Sequence, residues 1–167
     1  MRLDRIDPQR LNRFLIKNWM THDALWYGEV AGKLGMPEAS PMNLRVCRKL
    51  GQIEFKRLMQ MTDATAPGDM QTYQKLFEMG TQVFVPDFMV IDIDYPAENA
   101  QRFFVRECFA HRGMEKAGHL KDYECGIFER IFGWFDAMNL TYSAAPDLSR
   151  CLKFKGNACE VIIEFQF

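Results

Sequence analysis

Three cysteines in the last quarter of the chain, Cys125, Cys151 and Cys159, carry the clearest chemical signal. Twenty-five residues separate the first two and seven separate the last two. Thiolates gathered from separate elements of a small domain suit a soft metal, most often zinc. Zinc takes four tetrahedral ligands at about 2.0–2.3 Å, so one more donor is needed. Asp147, four residues before Cys151, is the first candidate; Cys108, His111, His119 and water are the alternatives. Buried free thiols are the competing explanation, because cysteine is among the most buried residue types. Cys47 falls on a helical apolar stripe and reads as core.

Outside the cysteines, His22, Asp23 and Glu29 lie within two helical turns. Histidine as a residue type suits proton transfer near neutrality, which makes His22 a candidate. Glu54 falls in register between Leu50 and Leu58 and is the second catalytic candidate. Asp92 and Asp94 alternate on one strand face, where Arg102 and Arg106 would oppose them across a sheet. There is no GxGxxG, P-loop, GxSxG or HExxH motif, which argues against nucleotide-dependent chemistry and the familiar serine and zinc hydrolases.

The elements that must position these groups follow from punctuation and period. Asp7-Pro8 caps a first helix with Leu11, Leu15, Trp19 or His22, Trp26 and Val30 at helical spacing, and Gly35 stops it. Ser40-Pro41 starts a second helix with the stripe Leu44, Cys47, Leu50, Leu58 and Met61, Val46 and Ile53 alongside. Ala66-Pro67-Gly68 breaks it, and Asp69 caps a third helix carrying Tyr73, Leu76, Phe77 and Met79. The period then changes to two over Phe84–Asp94, with Met89, Ile91 and Ile93 on one face. Pro96–Asn99 turns the chain into a returning strand, Arg102–Phe109. A short helix near Arg112–Ala117 ends at Gly118. Tyr123–Met138 is apolar around nearly its whole circumference, so that helix should be buried on two sides. Arg150–Phe154 and Cys159–Phe167 read as strands joined at Gly156-Asn157. A plain two-residue turn there would send Cys151 and Cys159 to opposite faces. A shared ion therefore needs a bulge, an odd turn, or Cys151 outside the strand. The expected fold is α+β: N-terminal helices, then a strand-strand-helix-strand-strand unit whose antiparallel sheet is covered by helices on one face. Residues 1–167 read as one domain, a helical half over 1–80 and a sheet-plus-helix half over 81–167.

At 167 residues, 48% hydrophobic and 26% charged, the chain has the composition of an ordinary globule. A net charge of −1 without a basic tract argues against nucleic-acid binding. No apolar run is long enough to span a bilayer. The charged N-terminal run Met1–Asp7 lacks a signal-peptide core, so a cytoplasmic location and free thiols are expected. Fourteen Phe and eleven Met offer adaptable side chains for a core or a cavity wall.

The Cys125…Cys151…Cys159 spacing, with Gly156 in the loop and an apolar strand after it, resembles the 4-vinyl-reductase domain. That fold is related to the TRAPP tethering subunits. The resemblance covers Phe84 to Phe167 and implies a small-aromatic-binding module with zinc near its pocket, held by three cysteines and a glutamate. The glutamate's position, three residues before the middle cysteine, is Leu148 here, and Asp147 is one residue away. Met20–Tyr27 and Tyr123–Arg130 resemble a second group, uncharacterised prokaryotic proteins with an L-2-amino-thiazoline-4-carboxylate hydrolase-like designation. The expectation is a small-molecule-binding or sensing domain with zinc beside an apolar pocket lined by Trp26, Phe104, Phe128 and Phe132. Metal-assisted hydrolysis of a small heterocycle or amide is the alternative, with His22, Glu54 or Asp147 as base. The helical half, with more amphipathic surface than one sheet face covers, suggests a homodimer.

Overall fold

Asp7 opens the first helix as its side chain predicts. In the computed structural model, which describes residues 5–167, α1 spans Pro8–Leu34, and the Asp7 carboxylate accepts a hydrogen bond from the Gln9 amide at 3.2 Å. Gly35 ends the helix at φ 81°, a left-handed conformation that costs glycine no Cβ clash. The chain reverses there and α2, Met36–Met61, follows immediately. It starts one turn before Ser40-Pro41: Pro37 occupies its first turn and Pro41 lies inside it. Asp69 caps α3, Met70–Phe84, by accepting from the Thr72 amide at 2.7 Å.

Strands β1, Val90–Ala97, and β2, Ala100–Glu107, form the expected hairpin, although α3 runs on to Phe84 and β1 begins later than the alternation predicts. Next come α4, Phe109–Lys116, and α5, Gly126–Ala137, then β3, Thr141–Ala145, and β4, Glu160–Gln166. The four strands are antiparallel in the order β1-β2-β4-β3. Register slips between Val90 and Ile91 and again between Asp94 and Ala97.

The segment 150–154 corrects one expectation: it is not a strand. The Cys151 amide instead donates to the Tyr123 carbonyl at 3.0 Å, and a 3-10 turn at Phe154–Gly156 follows. β4 pairs with β2 on one side and with Thr141–Ala145 on the other, and the mixed small and polar residues of that segment give no alternating apolar signal.

Phe103, Val105, Val161, Ile163 and Phe165 bury one sheet face. Tyr73 and Phe77 of α3 and Phe128 and Phe135 of α5 stack onto it; the Phe103–Phe128 and Phe165–Tyr73 ring centres are 5.6 and 4.5 Å apart. The other face carries the ion pairs Asp94–Arg102 and Asp92–Arg106, the latter at 2.5 Å, as opposed charges on a solvated sheet face should.

α5 is held between sheet and α2, which explains its nearly continuous apolar surface. Gly51 of α2 and Gly133 of α5 face each other at the crossing: a Cβ at 133 would lie 3.0 Å from the Gly51 Cα and 2.9 Å from the Gln52 nitrogen. This contact turns α2 so that Gly51, Phe55 and Leu58 are buried, while Met61 of the expected stripe and Val46 beside it face outward. α1 departs similarly. Leu15 and Trp26 are 55% and 67% exposed, whereas Met20, Tyr27 and Ala31 pack inward. Helix α1 is apolar on two faces, and the face that wins offers Tyr27 a polar partner, the Ser40 hydroxyl at 3.2 Å.

Candidate functional site

Two neighbouring voids concentrate the chemistry. The larger is a cavity of about 110 Å³ between α1, α2, α4 and α5. Trp19, Asp23 and Tyr27 enter it from α1, Asn43 and Cys47 from α2, Phe109 from α4, and Ile127 and Arg130 from α5, with Tyr123 beside them. Asp23 reaches it because it sits one turn before Tyr27, on the buried face of α1. Gly126, first residue of α5, makes room: a Cβ there would lie 2.9 Å from Asn43 Nδ2 and 3.0 Å from Cys47 Sγ.

Most polar groups of this wall are engaged within the protein. Arg130 donates twice to Glu54, at 2.8 and 2.6 Å, and its guanidinium lies 4.9 Å from the Trp19 ring centre. Trp134 donates to the same carboxylate at 3.3 Å. The Tyr123 hydroxyl accepts from the Gly126 amide at 3.3 Å. Burial pushes the Cys47 thiol up to about 12, with Asp23 adding to the effect and Arg130 opposing it. Asp23 itself is half-buried. Burial raises its pKa, while the charges of Arg130 and His22 pull the other way.

The smaller void, about 20 Å³, is lined by four cysteines: Cys108, Cys125, Cys151 and Cys159. Cys108 is the N-cap of α4 and Cys125 the N-cap of α5. Cys159 immediately precedes β4, and Cys151 lies in the 146–159 loop. The strict alternation of a hairpin therefore does not apply to Cys151, and the geometric obstacle is absent. Burial pushes the Cys159 thiol up to about 12, assisted by Cys108 and Cys151. Burial likewise raises Cys125, Cys108 and Cys151. Lys153 borders the void and donates to the Val105 and Arg106 carbonyls at 3.1 and 3.0 Å. Among the described residues, no three Cys, His, Asp or Glu side chains are already disposed as a metal centre. Tyr123 and Ile127 line both voids and form a common wall.

The other predicted site residues are dispersed. Asp147 is exposed, hydrogen-bonded to the Ser149 amide and hydroxyl, and borders an adjacent groove instead of the cysteine void; Leu148 lines the void in its place. His22 is exposed. Glu54 is tied to Arg130 and Trp134, which leaves it no free role as a base. None of the four expected pocket residues lines the larger cavity. Trp26 points to solvent, because α1 packs through its other face. Phe104 is on the solvated face of the sheet, as its alternation with buried Phe103 and Val105 requires. Phe128 and Phe132 fill the core, with Phe128 reaching the cysteine void. Sequence reasoning missed Tyr27, Asn43, Arg130 and Tyr123. The i, i+4 pairing of Asp23 with Tyr27 was the available sign of a second inward face on α1.

This α+β arrangement is similar to a solved sensory domain: the phenol-responsive sensory domain of the transcription activator PoxR with phenol. The two superpose with a TM-score of 0.55 at 14% identity, over 85% of this chain and 72% of that one. The likeness establishes the fold. The chain belongs to a family of unknown function, DUF6125, whose sequence profile matches residues 8–132. No curated protein matches it. Among the described residues no helix is long and apolar enough to cross a membrane.

Proposed function

We propose that this chain is a small-molecule-binding, sensing-type domain of the 4-vinyl-reductase kind, with a cysteine-rich zinc site beside its pocket. The carrying observation is the apolar cavity under α1 that shares Tyr123 and Ile127 with a four-cysteine void. At about 110 Å³ the cavity is near the ~150 Å³ that accommodates benzene in an engineered core, so a single ring is the fitting size. The phenol held by the PoxR domain supports the same ligand class.

Thiolate is the donor type that suits a soft ion, and the four cysteines would have to draw closer around it than they stand. Four cysteines line one small void, and their thiols, all raised by burial, are poor anions until a cation offsets the charge. Cys108, Cys125, Cys151 and Cys159 would hold zinc, with Cys108 as the fourth ligand that Asp147 does not supply. Four thiolates leave no open position, so the ion would fasten α4, α5, the 146–159 loop and β4 together as a structural clamp. No observation favours the hydrolase alternative. The outward Leu15 and Trp26 of α1 support a homodimer through the helical half.

Elemental mass spectrometry on the untagged protein, alongside Cys108→Ser and Cys151→Ser, tests the metal. The expected result is one zinc per chain, depleted in both variants. No zinc in any sample, with the variants still folded, would reduce the cysteines to packing. Zinc kept by Cys108→Ser alone would return the fourth position to another donor.

A further inference from the structure

The charge balance around the larger cavity identifies a narrower ligand class; this rests on the small-molecule-binding reading above. Of the charged side chains that line it, Arg130 is neutralised by Glu54 through two hydrogen bonds at 2.8 and 2.6 Å, at 13% and 12% side-chain exposure. Asp23 has no hydrogen-bond or ion-pair partner among the described residues, so one negative charge remains. Arg130 and His22 offset it only from a distance, without a hydrogen bond or ion pair. Cys47, in the same wall, senses the carboxylates of Asp23, Glu129 and Glu54 against the single guanidinium of Arg130. Tyr27 senses Glu124 as well. Among the described residues, the other basic group acting on Asp23 is the exposed His22.

A half-buried carboxylate facing apolar walls gains most from a ligand that brings its own positive charge and N–H donors. The walls suit the remainder of such a ligand. Tyr27, Phe109 and Tyr123 present ring surface, which attracts both an aromatic ring and a cation. An anionic ring would meet the unpaired Asp23, with Arg130 already bonded to Glu54.

We propose that the cavity selects a single-ring molecule carrying a protonated nitrogen, such as an arylalkylamine, with Asp23 as the group that meets the cation. Asp23 is then the specificity-determining residue, and the aromatic walls supply affinity without selecting charge.

Calorimetric titration of the intact protein at neutral pH with benzylamine, phenol and benzoate tests this, using wild type and Asp23→Asn. In wild type benzylamine should bind about tenfold or more tightly than phenol, and benzoate weakest, as expected for a charge-assisted hydrogen bond in a poorly hydrated site. Asp23→Asn should remove that advantage while changing phenol binding by less than about threefold. Phenol binding as tightly as benzylamine in wild type would overturn the assignment and leave the pocket reading standing. Unchanged benzylamine affinity in a folded Asp23→Asn would do the same. Absence of binding by all three probes would overturn both. The wild-type ranking does not depend on the variant folding.

Discussion

Gly133→Ala is the substitution that most directly tests how the site is positioned. Two effects oppose each other. Alanine in a helix interior is favoured over glycine by about 1 kcal/mol. Against this, the new methyl would overlap the Arg48 carbonyl and stand 2.9 Å from the Gln52 nitrogen and 3.0 Å from the Gly51 Cα. These are backbone atoms on a facing helix, so no side chain can swing aside. The helices would have to part by about 1 Å, and close-packed interiors do not absorb such a gap without losing contacts. Overpacking costs about 1–3 kcal/mol in adaptable cores, and a rigid backbone contact lies at or beyond the upper end. A net loss of about 2–3 kcal/mol is expected, which for a domain of this size lowers Tm by about 4–12 °C. Gly28→Ala is the control: nothing lies within 4 Å of its Cβ position on α1, so only the propensity gain remains and stability should rise by up to about 1 kcal/mol. Urea unfolding followed by circular dichroism measures both. If Gly133→Ala matches wild type within about 0.5 kcal/mol, the close crossing of α2 and α5 is not as described.

Two further substitutions read other parts of the same helix pair. Burial alone would raise the pKa of Asp136, but hydrogen bonds from Arg48 and Gln52 and the charge of Arg48 outweigh it and hold the carboxyl below 3.8. The ionised form is therefore bound more tightly in the folded state. Its stabilisation is complete above pH 3.8 and is lost as the pH falls through the depressed folded value. The stability difference between wild type and Asp136→Asn should accordingly be constant near neutrality and shrink in acid; a difference that grows in acid would contradict the pairing. Gly126→Ala should narrow the cavity by pressing on the ends of Asn43 and Cys47. Because those ends can shift, stability should change by less than about 1 kcal/mol while affinity for a single-ring ligand falls several-fold. Unaltered affinity would exclude Gly126 from the binding wall.

The fold was legible wherever local chemistry decided it. Asp7-Pro8, Gly35 and Asp69 mark helix ends through hydrogen bonds and backbone freedom that need no tertiary context. The alternation of Phe103 and Val105 against Arg102, Phe104 and Arg106 assigned the sheet faces for the same reason. What failed depended on partners far away in sequence. The inward face of α1 is set by Ser40 and Met36, and the rotation of α2 by a glycine 82 positions onward in α5. Strand β3 is defined by its pairing with β4, about 20 residues onward, and not by any alternation in Thr141–Ala145. Cys125, Cys151 and Cys159 line one void, and Cys108 joins them because the N-caps of α4 and α5 both border it, which no spacing reveals. Asp23 was noticed for its neighbour His22, although its own position in the buried wall matters more.

The two margins of the sheet have a further consequence. β1 slips register twice and carries Asp92, Asp94 and Pro96; β3 is only five residues long. Neither presents a long, straight row of free amides and carbonyls. Such margins are poor templates for another chain's strand, so this fold is guarded against the edge-on stacking that leads to fibrils.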